Sequence, residues 1–163
     1  YIRRKVEKLN YEGYPASICV SLDDEVVHGI PKENVILREG DIVSLDAGVI
    51  YRGYHSDAAR THAVGKISEN DQKLIEVTKQ SFFEGIKYAK AGHHLHEISA
   101  AIGAYAESFG YGVVRDLVGH GIGTHLHEDP AVPAKPRRPS AAWHDARHRT
   151  DDHSRRLCSQ MAG

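Results

Sequence analysis

Three features of this chain predict an α+β fold. Strand-like segments with β-branched alternation and glycine turns come first, and two helical segments with apolar stripes follow them. Apolar, glycine-rich strand sequence then returns. That grouping of strands, then helices, then strands differs from the regular strand–helix alternation of a parallel α/β sheet.

The elements read in order as follows. ASICVSLDDEVVHGIP, residues 16–31, reads as two short strands around an LDDE turn, ended by Gly29 and Pro31. NVILREGDIVSLDAGVI, residues 34–50, alternates β-branched residues and is interrupted by a turn at Glu39-Gly40. Arg52-Gly53 marks a second turn, leading into YHSDAARTHAVG. Asp46 and Asp57 then lie on facing strands of one hairpin, opposite or diagonal, with Cβ atoms about 5–8 Å apart. Ser68 followed by Asp71 resembles a capping box and opens the first helix, with Leu74, Ile75, Phe82 and Ile86 as its stripe and Gly92 as its stop. A second helix is predicted from Leu95 to Phe109, with Ile98, Ala101, Ile102, Tyr105 and Phe109 inward and Gly110 at its end. VVRDLVGHGIGTHLHEDP follows as an apolar strand breaking into a Gly-rich stretch.

The 163 residues suit one domain, and 40% apolar content is enough for a core. No stretch of 18 apolar residues is present, so a helical membrane span is excluded. The chain opens with Tyr1, which suggests a processed product or a fragment. Two cysteines make no disulfide framework and fit a reducing compartment. A net charge of −1 gives no argument for nucleic acid, whereas twelve histidines hint at metal or proton chemistry.

Composition changes after Pro130. Residues 1–130 hold all eight Tyr and all three Phe, and carry 14 basic and 19 acidic residues, a net of −5. Residues 131–163 carry 7 basic and 3 acidic residues, a net of +4, with only Val132 and Leu157 as branched aliphatics. Such a segment buries too little apolar surface to offset its ordering entropy, so it is expected to be a disordered tail on a 1–130 domain.

The chemistry concentrates in SLDAGVIYRGYHSDAAR and GHGIG. Each motif alone also fits a bland role: a strand end, a tight bend, a surface turn. Two facing carboxylates, however, repel each other unless a cation lies between them. His120 stands between two glycines, on backbone that other groups can approach closely. It is a better ligand candidate than His93, His94 or His96, which fall in a polar loop between the helices.

Together HGIP, LREGDIVSLDAGVIYRGYHSDAART and GHGIGTHLHEDP resemble the type I methionine aminopeptidases over residues from about 8 to 130. The resemblance implies a partial pita-bread fold, an antiparallel sheet with two helices on one side. It implies removal of the initiator methionine from nascent polypeptides whose second residue is small. Asp46, Asp57 and His120 would be ligands of two divalent ions, with Co, Mn, Fe and Zn all compatible. His28 would meet the substrate nitrogen and His127 the scissile carbonyl oxygen. Tyr11, Tyr14 and Cys19 would line the methionine pocket. A cytoplasmic monomer near the ribosome is the expected setting, without membrane or specific nucleic acid. Two alternatives are a non-enzymatic pita-bread binding module and an aminopeptidase of the same fold that cleaves X-Pro bonds.

The family continues after HEDP with LRPGMTLAIEPM and, later, a strand containing EDG, each with a glutamate ligand, and neither motif is written here. About fifty residues of the family also precede the matching segment. The chain is therefore expected to be truncated at both ends and weak or inactive as a peptidase. Residues 140–157 nevertheless admit codons that, read one nucleotide later, spell LRPGMTLAIEPMITRAGS. The tail is accordingly expected to be a frameshifted translation of the family's next segment.

Overall fold

The computed structural model describes residues 5–6 and 13–132. Its main sheet is antiparallel and centred on β3 (Ile42–Tyr51), which pairs with β4 (Tyr54–Ala63) along one edge. Along the other edge β3 pairs with β1 (Lys5–Val6) and with β2 (Cys19–Leu22). The β3–β4 ladder runs unbroken from Ile42↔Ala63 to Tyr51↔Tyr54. Its turn needs two positive φ angles, supplied by Arg52 at 52° and Gly53 at 81°. That is the type I′ geometry whose twist matches the strands it joins.

The segment between β2 and β3 corrects the sequence reading. Only Cys19–Leu22 forms a strand there; Val26–Gly29 and Val35–Leu37 do not. Val26 and Ile36 are 64% and 78% exposed, so these apolar runs gain no burial that would hold them extended. His28 has φ 60°, which also breaks an extended run. The apolar stretch before GHGIG is likewise no strand: Val114, Leu117 and Val118 are exposed, and β5 is only Gly119–Gly121. It pairs with β6 (Glu128–Val132), whose last residue Val132 is buried. The strand thus runs two residues past the expected boundary at 130. The rest of the expected tail, and Tyr11, lie outside the described residues.

Two helices follow the hairpin, α1 (Glu69–Ile86) and α2 (Leu95–Ser108). Ser68 caps α1 as expected: its Oγ accepts from Asp71 N at 3.1 Å and donates to Asp71 Oδ2 at 2.6 Å. The helix stops at Ile86, before Gly92, and the chain turns through residues 87–92 into α2. The start of α2 is closed by Glu97, whose carboxylate accepts from His94 N at 2.7 Å and meets His93 Nδ1 at 2.9 Å. The buried face of α1 is Val77, Ser81, Phe82 and Gly85, whereas Leu74 is exposed. Gly85 is the close crossing point. A Cβ there would stand 2.6 Å from Ile102 Cγ1 and 3.1 Å from Ile98 O on α2. Phe109 is exposed rather than inward, with its ring against Tyr105 and under the Lys73 ammonium. Among the described residues, no helix is long and apolar enough to cross a membrane.

Candidate functional site

One face of the main sheet gathers the chemistry. In the register, Asp46 stands opposite Ala59 on one side and Cys19 on the other, and Asp57 stands opposite Gly48. Asp46 and Asp57 are therefore diagonal neighbours on the same face, with Gly48 and Ala59 at the other two corners. Residues 55, 57, 59 and 61 of β4 are half-buried, whereas 54, 56, 58, 60 and 62 are exposed. This alternation turns Asp57 inward together with His55 and Thr61. Thr61 Oγ1 shares a 2.8 Å hydrogen bond with Ser44 Oγ on the same face.

The pocket side of this face is tied together by Tyr14. Its hydroxyl reaches Gly29 O at 2.8 Å and Ile18 O at 3.2 Å. Burial, then a hydrogen bond to Cys19, then the charges of Cys19 and Asp46, push the phenol above its ordinary range. Cys19 is buried next to it. Gly29 is docked flat on β2: its O accepts from Val20 N at 2.8 Å and its N donates to Ser21 Oγ at 3.1 Å. A Cβ on Gly29 would lie 2.1 Å from Val20 O, so only glycine permits that approach. His28 directly precedes the docked glycine and is exposed.

His120 arrives from the second sheet. Its Nδ1 lies 2.9 Å from Gly121 O, and its ring is 4.1 Å from that of His127. The two sheets are bridged by a backbone bond from His55 N to Gly123 O at 2.7 Å. Burial, and then the nearby His125, lower the His55 imidazole below its ordinary pKa, while Glu128 acts in the opposite sense. The loop 123–128 is closed by Glu128, whose Oε1 accepts from His125 N at 2.8 Å and from Thr124 Oγ1 at 3.1 Å. These bonds hold the Glu128 carboxyl below the usual carboxylate range, the His125 backbone N–H first among them.

The structure thus brings Asp46, Asp57, Cys19 and Tyr14 onto one face, and brings His120 against His127. Among the described residues, no group of three or more His, Cys, Asp or Glu side chains is close enough to hold a metal ion. Two carboxylates on one face offer oxygen donors of the kind that hard or borderline divalent cations take. Sequence reasoning missed His55 and Glu128. The legible signal was Thr124 with Glu128 four residues on, beside a glycine pair.

The chain matches metallopeptidase family M24 over residues 1–156. It is 60% identical over 123 residues to a methionine aminopeptidase of Clostridium acetobutylicum, covering 76% of this chain and 49% of that one. It is 51% identical over 123 residues to methionine aminopeptidase 1 of Bacillus subtilis, covering 76% of this chain and 49% of that one. Among solved structures, the methionine aminopeptidase of Thermotoga maritima superposes with a TM-score of 0.79 at 42% identity, covering 84% of this chain and 55% of that one. The chain spans about half the length of the curated relatives it matches.

Proposed function

This chain belongs to metallopeptidase family M24, and from that premise we propose that it carries the substrate pocket and part of the metal centre of a type I methionine aminopeptidase. The observation that carries the reading is the diagonal Asp46/Asp57 pair with Cys19 and Tyr14 beside it on the same face. M24 membership implies divalent metal ions. Asp46, Asp57 and His120 would hold them, two ions in all, drawn from Co, Mn, Fe or Zn. A metal pair of this kind supplies an activated water and polarises a carbonyl.

The chain's own groups would do the rest. Tyr14 and Cys19 line an apolar, sulfur-tolerant slot for the methionine side chain, and Tyr11 precedes them in sequence. His28, next to the docked Gly29, would orient the substrate amine, and His127 would donate to the developing oxyanion. The substrates would be nascent chains with methionine first and a small second residue, met by a monomer in the cytoplasm, close to the ribosome.

The residues from shortly after Pro130 belong to the same proposal. They would be an out-of-frame translation of the segment that holds the next glutamate ligand. The gene's nucleotide sequence tests this directly, because codons that do not spell AIEPM one nucleotide later refute it. If the tail is out of frame, this chain should bind metal but release methionine far more slowly than a full-length relative.

Thermal unfolding with and without 1 mM Mn(II) or Co(II) checks the metal reading. The wild-type chain should be stabilised by added metal, as any ligand of the native state stabilises it. Asp46→Asn and Asp57→Asn should abolish that shift. A wild-type chain indifferent to both ions would refute the metal centre. Turnover of Met-Ala-Ser compared with Ala-Pro peptides separates methionine removal from X-Pro cleavage.

A further inference from the structure

We infer that Glu128 is a positioning residue, whose carboxylate closes the 123–128 turn and thereby sets how the His120–His127 pair stands against β4. The inference rests on the reading of that pair as part of a metal and substrate site. The residues that lead to it form a chain of contacts. One oxygen, Glu128 Oε1, gathers the N–H of His125 at 2.8 Å and the hydroxyl of Thr124 at 3.1 Å, with His125 Nδ1 3.6 Å away. Gly123 N donates to His125 O at 3.1 Å, which tightens the same turn.

Both nearby glycines are shaped to this carboxylate segment. A Cβ on Gly123 would stand 2.5 Å from Glu128 Oε2, and a Cβ on Gly121 would stand 2.5 Å from Asp129 O and 2.7 Å from Glu128 O. A side chain at Gly121 would meet the backbone of the 128–129 segment, whereas one at Gly123 would push the Glu128 carboxylate aside. The spacing of glycines around His120 thus makes room for Glu128 as well as for bending the backbone.

The turn transmits its position in two directions. At one end, Gly123 O accepts from His55 N at 2.7 Å, two residues before Asp57 on β4. At the other, His127 directly precedes Glu128, and its ring lies 4.1 Å from His120. Removing the carboxylate therefore loosens both the link to β4 and the imidazole pair. Gross unfolding is not expected, because Ile122 and Leu126, 1% and 5% exposed, anchor the turn by burial independently of Glu128.

The test uses the full 163-residue chain, labelled with ¹⁵N, as wild type, Glu128→Ala and Glu128→Gln. Glu128→Ala should speed amide exchange at His125 and shift the ring resonances of His120 and His127, leaving the amides of α1 and α2 in place. Glu128→Gln should restore both, because its side-chain oxygen still accepts from His125 N and Thr124 Oγ1. Gly123→Ala, which forces the carboxylate aside, should reproduce Glu128→Ala. Unshifted His120 and His127 rings in both Glu128→Ala and Gly123→Ala would overturn the inference, as would failure of glutamine to restore them.

Co(II) titration of the same proteins separates this role from the reading beneath it. Binding about ten-fold weaker in Glu128→Ala and recovered in Glu128→Gln supports both. Equal Co(II) affinity in all variants overturns the positioning role. Ring shifts with no Co(II) binding in any protein, wild type included, refute the metal centre while the positioning role stands.

Discussion

The Tyr14 hydroxyl meets the carbonyl of Gly29, the residue that follows His28. Gly29 O also accepts from Val20 N, so deleting the phenol oxygen leaves that carbonyl satisfied. The cost of Tyr14→Phe is then one net hydrogen bond rather than a stranded buried acceptor, about 1 kcal/mol. Urea unfolding should show that loss with an unchanged m-value, and a loss beyond about 3 kcal/mol would mean that the hydroxyl supports more than this loop. At this scale the Asp46/Asp57 pair was legible, because eleven positions of sequence around one Arg-Gly turn fix a hairpin register. The role of His55 was not legible, because it depends on a contact between two sheets whose strands lie far apart in the sequence. Glu128 was missed although its partners Thr124 and His125 are close neighbours in the sequence.

The helix pair shows where element-scale reading succeeds and where it fails. Ser68 and Asp71 announce the start of α1 because the cap is local chemistry. The buried stripe was less readable: Leu74 is exposed, while Ser81 and Gly85 are buried. The reason is the tight crossing at Gly85, which brings small residues inward. Gly85→Ala makes that argument measurable. Helix propensity favours alanine by about 1 kcal/mol, but overpacking at such a contact costs about 1–3 kcal/mol. The Ile98 carbonyl at 3.1 Å is backbone and moves only if α2 moves with it. Net destabilisation of about 1 kcal/mol is expected by thermal or urea unfolding, and a stabilised variant would show the crossing to be loose. The predicted strands at 26–29 and 34–37 failed for the opposite reason: their β-branched residues satisfy propensity but bury little surface.

At the scale of the whole molecule, exposed apolar side chains among the described residues concentrate between β2 and β3. Val26, Val27, Ile30, Val35, Ile36 and Leu37 are all exposed within twelve residues. Patches of this kind promote self-association. Ile36, 78% exposed, is the position to alter: Ile36→Lys should change stability by less than about 0.5 kcal/mol while reducing light scattering at high protein concentration. A much larger loss of stability would mean that the loop is covered in solution. The α+β class was readable because the order of elements carries it, whereas the two-sheet division depends on long-range pairing. The β3–β4 ladder has a further consequence, one of timing. A hairpin closed by a two-residue turn forms in about 1–10 μs. His120 is the sixty-third residue after Asp57, which at synthesis rates of about 5–20 residues per second is roughly 3–13 s of elongation. Asp46 and Asp57 can thus face each other seconds before His120 has been made.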